Sequence, residues 1–218
     1  MAFNRQVLFV IAAVVVLAAG GLYYYISRPE AVLPPGASAP AATELMIPGP
    51  LGEMGLGDPN APNVIIEYAS MTCPHCQRFH TTTFPELKAK YVDTGKAYFI
   101  FREYPLDPLA TAAIVLARCA PKEQYFPLVD LMFKNQQQWA FVQGNPVEAL
   151  ASLLKQAGFT EESFRACLTN QSILDGVNWV RERAEKEFAV GSTPTFFING
   201  TKMSGEQTID AFDKALGG

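Results

Sequence analysis

The sequence has few of the residues from which nucleic-acid surfaces and metal sites are built. Its 218 residues include 17 Lys and Arg against 21 Asp and Glu, a net charge of -4, so no basic excess favours a polyanionic partner. It has only two histidines and four cysteines, and no internal repeat. The apolar fraction of 49% is nevertheless large enough to fill a core. These limits exclude a disordered chain and a nucleic-acid-binding protein, and they leave one globular domain preceded by a targeting segment.

The amino-terminal segment contains one long apolar run. No residue between Arg5 and Arg28 is charged, and residues 7–26 would form a helix of roughly 30 Å, the thickness of a hydrocarbon core. A cleaved signal peptide is the alternative, because Ala18-Ala19-Gly20 offers small residues to a peptidase. The run continues past them into three tyrosines at interface depth, which favours an anchor in the inner membrane. Either interpretation places the rest of the chain in the periplasm or another extracytoplasmic compartment, where disulfides persist.

Composition divides the chain into three parts. We assign residues 1–28 to the signal anchor or signal peptide, residues 29–56 to a Pro- and Ala-rich tether, and residues 57–218 to the globular domain. Eight prolines fall within residues 29–62, a composition that cannot bury a core, and the stretch up to Ala42 should be extended.

The apolar pattern of the globular part predicts strands near both ends and helices between them. Asn199-Gly200 is a strong two-residue hairpin signal between the last two strands. The helical block should occupy about residues 107–189, inserted into an α/β domain. We predict strands at residues 64–68, 97–101, 195–198 and 201–203, and helices at 109–119, 125–135, 146–157, 161–168, 173–188 and 208–216, besides the helix that follows the first strand.

The motif Cys73-Pro74-His75-Cys76 carries the chemistry. It follows the first predicted strand and opens a helix, because proline fits the first helical position. Cys73 therefore meets the positive end of the helix and should be a stabilised, nucleophilic thiolate, with His75 adding to that stabilisation. Cys76, one turn on, should be less exposed and act as the resolving thiol. The alternatives are a zinc site, for which a second ligand pair is missing, and a merely structural Cys73–Cys76 disulfide, whose small loop would constrain the chain little.

Two further features join the motif in a recognisable order. Glu67 lies in the strand before the motif, and Ser192-Thr193-Pro194-Thr195 precedes the last strands after the long helical block. Together they resemble the DsbA family of bacterial thiol-disulfide oxidoreductases over about residues 55–218. The resemblance implies an α/β class, namely a thioredoxin fold with an inserted all-helical domain.

The resemblance also implies roles for single residues. The Thr193-Pro194 bond should be cis beside the motif, so that the Thr193 backbone can pair with an extended substrate; an ordinary trans proline is the alternative. Glu67 matches a buried acid beneath the active site that can take protons from Cys76, the alternative being a partly exposed strand residue. His80 falls where some family members have a glutamate, and we expect it to be a surface helix residue.

The remaining cysteines, Cys119 and Cys167, lie singly in the helical block. Unpaired cysteines in an even set would be unusual in an exported protein, so we expect a second, structural disulfide between them. The alternative is two buried thiols that behave as small hydrophobic side chains.

We expect an enzyme that oxidises cysteine pairs in unfolded or partly folded exported proteins. A client thiolate attacks Cys73 of the oxidised pair, and the client's second thiol then releases the reduced enzyme. The resemblance implies reoxidation by a membrane partner similar to DsbB. We expect a monomer that contacts the membrane through residues 7–26 and uses no metal, organic cofactor or nucleic acid.

Three other functions stay open at this point. A reductase or isomerase could use the same scaffold, although isomerases usually dimerise through an added amino-terminal domain, for which residues 29–56 are too short. A non-enzymatic peptide-binding chaperone would leave the cysteines incidental. A redox factor dedicated to a single client is the third.

Overall fold

The computed structural model describes residues 43–217, so the predicted anchor at residues 7–26 and the first part of the tether lie outside the described residues. Within residues 43–217 the strands form one mixed sheet, with helices packed on both faces. None of the helices in this part of the chain has both the length and the apolar character needed to cross a membrane. The strands are β1 (Met54–Leu56), β2 (Asn63–Ala69), β3 (Ala97–Glu103), β4 (Thr195–Ile198) and β5 (Thr201–Ser204).

The sheet has the order β1-β3-β2-β4-β5. Strands β2 and β3 are parallel, and the other neighbouring pairs are antiparallel. A parallel pair needs a crossover, which the helical segment between β2 and β3 supplies. The β4–β5 hairpin turns at Asn199 and Gly200, whose φ angles of 49° and 83° are those that a primed two-residue turn requires. Strand β2 is central, so the loop that follows it, which carries the cysteine motif, lies at the end of the sheet where the parallel strands β2 and β3 have their carboxyl termini.

The helical segment after β2 is not a uniform α-helix. It runs over residues 74–92, and two of its turns, Phe79–Thr83 and Lys88–Val92, are wider π-type turns. In the first of these the Phe84 N–H donates to the carbonyl of Phe79, five residues back. The wide turn ends at Thr83, two residues before Pro85. It brings two consecutive residues, Phe79 and His80, into the core.

The remaining helices form the insertion and the carboxyl-terminal cap. They are α2 (Pro108–Cys119), α3 (Tyr125–Lys134), α4 (Gln136–Trp139), α5 (Pro146–Lys155), α6 (Glu161–Leu168), α7 (Gln171–Phe188) and α8 (Ile209–Leu216), with α1 denoting the segment at residues 74–92. Strand alternation then sorts the core into two parts. Ile65, Glu67 and Ala69 of β2 face α1 and the insertion, while Ile66 and Tyr68 face α7. This places Glu67 on the same side of the sheet as the cysteine motif.

The predicted tether at residues 29–56 extends too far along the chain. Leu45 is buried against the α7 side of the sheet, and β1 pairs with β3 in the register Met54 to Phe101. The Arg183 side chain also donates to the backbone carbonyl of Ile47 at 2.8 Å. The prolines at positions 48 and 50 allow the turns, while Leu45 and Met54, on either side of them, supply the buried contacts. The described part of the segment, residues 43–56, therefore belongs to the domain.

The second pair of cysteines is joined in the structure. Cys119, the last residue of α2, and Cys167 in α6 form a disulfide with a Cα to Cα distance of 5.7 Å. The bond crosslinks two helices of the insertion that lie 48 residues apart in sequence.

Candidate active site

Cys73 is the residue that caps the amino terminus of α1. Its backbone is extended, with φ -77° and ψ 119°, and Pro74 follows at the first helical position. The Cys73 sulfur accepts a hydrogen bond from the Cys76 N–H at 3.4 Å. The sequence folds in this way because a proline at the first helical position lacks the N–H that would otherwise go unpaired. The sulfur is thus held at the positive end of a helix, and only 4% of the Cys73 residue is exposed.

This setting lowers the pKa of the Cys73 thiol to about 6. The largest cause is a hydrogen bond from the Cys76 thiol, and burial opposes it. The Thr193 hydroxyl and the backbone N–H groups of Cys76 and His75 lower the pKa further. The Thr193 hydroxyl acts in this direction even though it makes no well-formed hydrogen bond. Cys73 is therefore largely a thiolate at neutral pH, as a nucleophile and leaving group must be.

Cys76 has the opposite character. It is fully buried, with an exposed fraction of 0%. Burial raises the pKa of its thiol well above the ordinary value, and the hydrogen bond to Cys73 and the charge of Glu67 act in the same direction. Cys76 therefore keeps its proton until a base takes it, which suits a resolving thiol.

The loop before β4 closes one side of the motif. The Thr193-Pro194 peptide bond is cis, as the family resemblance implied, and both residues are buried. The Cys73 thiol lies 3.3 Å from the backbone carbonyl of Thr193. The loop is fixed from the other side, because the Gly205 N–H donates to the carbonyl of Pro194 at 2.8 Å. These contacts hold the Thr193 backbone beside the Cys73 sulfur.

Glu67 lies beneath the motif and is fully buried. Its Oε2 atom shares a hydrogen bond of 2.8 Å with Nε2 of His80. The expectation that His80 is a surface residue is wrong, since only 6% of the residue is exposed. The widened turn of α1 is the physical reason, because it brings His80 to the face that packs on β2.

His75 is an exposed residue that faces away from the buried pair. Its Nδ1 atom accepts a hydrogen bond from the Arg78 guanidinium at 2.6 Å and lies 3.3 Å from Glu206. Arg78 also binds the Glu206 carboxylate, at 2.9 Å. This surface cluster connects the start of α1 to the loop before α8. His75 lowers the pKa of Cys73 through its backbone N–H, which any residue at this position other than proline would supply.

We therefore expect His75→Ala to shift the pKa of Cys73 by less than about half a unit, since the backbone donor remains. Absorbance titration of the thiolate in the reduced protein measures this shift. A shift of about one unit or more would mean that the His75 ring, rather than the backbone, stabilises the thiolate.

Two further contacts support the motif, and neither was found from the sequence. The buried Gln136 side chain donates to the backbone carbonyls of Met71, at 2.8 Å, and Cys73, at 3.0 Å. Thr72 donates to Asp107, which also caps the start of α2. A polar residue at a core position of a helix could have indicated Gln136, but it stands in a run of three glutamines. These contacts fix the loop from which Cys73 projects.

Comparisons with known proteins agree with this geometry. A thioredoxin family model matches residues 51–217. A candidate protein-disulfide oxidoreductase of Rickettsia bellii is 34% identical over 168 residues, which cover 75% of this chain and 64% of that protein. The crystal structure of alpha-DsbA1 from Wolbachia pipientis has 31% identity and a TM-score of 0.73, over 81% of this chain and 94% of that one.

A more distant structure has the same fold. BdbD from Bacillus subtilis, in its oxidised form, has 19% identity and a TM-score of 0.65, over 76% of this chain and 94% of that one. The chain spans about 60% of the length of the Rickettsia proteins that it matches.

Proposed function

Because this chain belongs to the DsbA-like family of thioredoxin-fold protein-disulfide oxidoreductases, we propose that it introduces disulfides into proteins outside the cytoplasm. The difference between the two thiols of the motif carries this proposal. Cys73 has a lowered pKa, whereas that of Cys76 is raised. A stabilised Cys73 thiolate stabilises the reduced form of the pair, so that the disulfide form is a strong oxidant.

The reaction consists of two thiol-disulfide exchanges. A client thiolate attacks the Cys73 sulfur of the Cys73–Cys76 disulfide, a client–Cys73 bond forms, and Cys76 leaves and takes up a proton. The client's second thiolate then attacks the client sulfur that is bonded to Cys73, and the Cys73 thiolate leaves. The client loses two electrons and the enzyme pair gains them, so no cofactor takes part in this half of the cycle.

The compartment and the partners follow from the same proposal. The Cys119–Cys167 disulfide suits an extracytoplasmic site, because structural disulfides persist in oxidising compartments. The clients are exported proteins with reduced cysteine pairs, and an acceptor similar to DsbB in the membrane would reoxidise the enzyme. Residues 7–26 would hold the domain near that acceptor.

The reduction potential of the Cys73–Cys76 pair tests the direction of the reaction. We expect a value above about -180 mV, in the range of oxidising rather than reducing thioredoxin-fold proteins. Equilibration with glutathione buffers, followed by quantification of the free thiols, gives this value. A value near -270 mV would contradict an oxidase and support a reductase on the same scaffold.

The potential should also depend on pH in two regimes. Because the pKa of Cys73 is lowered to about 6, the reduced pair gains two protons below that pH and one above it. The potential should therefore fall by about 59 mV per pH unit below pH 6 and by about 30 mV per unit above it. A constant slope of the potential against pH, from pH 5 to 8, would contradict a Cys73 pKa of about 6.

The same lowered pKa affects stability. It stabilises the reduced protein against unfolding progressively as the pH rises from about 6 towards the ordinary pKa of a cysteine thiol, and this stabilisation is lost below pH 6.

A further inference from the structure

Glu67 and His80 form a buried pair of titratable side chains beneath the resolving cysteine. The hydrogen bond between them is 2.8 Å long. Glu67 has an exposed fraction of 0% and His80 one of 6%. The second carboxylate oxygen of Glu67, Oε1, is buried and has no hydrogen-bonding partner among the described residues. A buried carboxylate oxygen is costly to leave unpaired, so its retention here points to a chemical use.

The histidine ring is enclosed by aromatic side chains. Phe133 stacks on it, with ring centroids 4.4 Å apart, and Phe84 lies at 4.9 Å. Within residues 43–217, Glu67 is the sole hydrogen-bonding partner of the ring. Aromatic faces attract a cation, so this enclosure tolerates a protonated imidazole next to a carboxylate. The pair can therefore hold a proton on either member.

Among the described ionisable groups near Glu67, one is left that can exchange a proton with it. Tyr125 lies near Glu67, but burial raises the pKa of its hydroxyl well above the ordinary value, and the hydroxyl donates to Glu103 at 2.7 Å. Glu103 is in turn paired with Arg118. Cys76 is the remaining group, and Glu67 acts on it through its charge.

We propose that His80 is the outer member of a proton relay that runs from Cys76 through Glu67 to solvent. The proposal rests on the disulfide-exchange function proposed above. His80 acts through Glu67 and is the one member of the pair with any exposed surface. In the relay, the Cys76 thiol gives its proton to the Glu67 carboxylate. The Cys76 proton goes to Oε1 of Glu67 while Oε2 accepts the Nε2–H of a protonated His80, and the imidazolium then releases its Nδ1 proton to water.

The relay serves the step in which Cys76 acts as nucleophile. When glutathione disulfide oxidises the reduced pair, the Cys73 thiolate attacks one of its sulfurs and one glutathione thiolate leaves. Cys76 then loses its proton to Glu67 and attacks the Cys73 sulfur, and the second glutathione thiolate leaves. The pair loses two electrons, glutathione disulfide gains them, and one proton leaves from His80 to solvent for the one that Glu67 takes from Cys76. In client oxidation the proton moves in the opposite direction.

His80→Gln tests the relay, because an amide can still bond to Glu67 but cannot carry a proton. The reduced protein is mixed with glutathione disulfide, quenched with acid at millisecond intervals and analysed by mass spectrometry, which separates formation of the mixed disulfide from its resolution. We expect resolution to slow by at least about tenfold at pH 7, with formation changed by less than about twofold. The resolution rate of the variant should also rise about tenfold per pH unit, because hydroxide must then take the proton, whereas that of the wild type should vary less. Glu67→Gln should slow the same step.

Tyr68→Phe is the matched control. It removes a buried hydroxyl that Arg102 contacts at 2.8 Å, on the opposite face of the same strand. Both rates should stay within about twofold of the wild type. Thermal unfolding of each variant shows whether it is folded, and His80→Asn replaces His80→Gln if the latter is not.

Each other outcome has a definite meaning. Wild-type resolution rates and pH dependence in folded His80→Gln would overturn the relay, even if Glu67→Gln were slow, because the proton would then leave Glu67 by another route. Equal slowing of both steps would also overturn it, since the pair would then act on the general electrostatics of the site. The reduction potential decides the proposed direction separately, because the relay would operate in an oxidase or a reductase.

Discussion

Cys73→Ser should reduce the rate at which the protein oxidises a reduced dithiol peptide by at least about a thousandfold. A serine hydroxyl does not ionise near neutral pH and forms no disulfide, so the variant has neither the electrophilic sulfur that a client attacks nor the leaving group. The hydrogen bonds that lower the pKa of Cys73 would remain in place around an atom that cannot use them. A fluorescence assay of peptide oxidation, with the protein first treated with glutathione disulfide, measures the loss.

Cys76→Ser separates the two thiols. It keeps the Cys73 nucleophile, so the reduced variant should still attack glutathione disulfide, form a Cys73–glutathione mixed disulfide and release one glutathione thiolate, but this adduct should persist because no Cys76 thiol resolves it. Non-reducing mass spectrometry should find glutathione attached at Cys73 in this variant and none attached in Cys73→Ser. The reverse pattern, with adducts on Cys76, would mean that the roles of the thiols have been assigned in the wrong order. Full activity of Cys73→Ser would mean that the Cys-Pro-His-Cys motif takes no part in the reaction.

The parts of the fold that could be predicted from the sequence are those with local causes. Helix α6 has the predicted bounds of Glu161–Leu168, because Thr160 caps it through a hydrogen bond from the Ser163 N–H. The β4–β5 hairpin was confirmed for a similar reason, since Asn199-Gly200 readily adopts positive φ. The position of Cys73 at the start of α1 follows from the proline beside it. In each case the signal lies within four residues of the feature.

What could not be predicted depends on residues that are distant in sequence. Strand β1 has only three residues, and its conformation comes from pairing with β3, about 45 positions later in the chain. The Arg78–Glu206 ion pair joins residues 128 positions apart. No local pattern distinguishes such residues from other charged surface residues.

The burial of His80 shows a different limit. At regular helical spacing, consecutive residues point about 100° apart, so a polar residue next to the apolar Phe79 is expected at the edge of the apolar face or in solvent. The wide turn at Phe79–Thr83 changes that spacing and admits both. Such turns are rare and often occur at functional sites. Here the turn supplies the Glu67 carboxylate with a partner that an ideal helix would have directed elsewhere.

The second large effect concerns stability rather than chemistry. Removing the Cys119–Cys167 disulfide by a double substitution to alanine should lower the free energy of unfolding by about 4 kcal/mol, or roughly a thousandfold in the unfolding equilibrium. The bond closes a loop across 48 positions, so it strongly restricts the unfolded chain. It joins the end of α2 to α6 and lies next to Arg118, whose ion pair with Glu103 is buried beneath the insertion. Denaturant unfolding followed by circular dichroism measures the loss.

Two comparisons separate the crosslink from the packing of its sulfur atoms. With the Cys73–Cys76 pair reduced in every sample, wild-type protein whose Cys119–Cys167 bond is also reduced should lose about as much stability as the double alanine variant, because its chain is equally unrestricted while its side chains are retained. The dependence of the free energy on denaturant should become steeper in both, since an uncrosslinked unfolded chain exposes more surface. If the reduced wild type proved as stable as the oxidised form, the stabilisation would come from packing at the α2–α6 contact. The Cys73–Cys76 pair would then be the one disulfide with an energetic role in the described domain, and that role would be in exchange with clients.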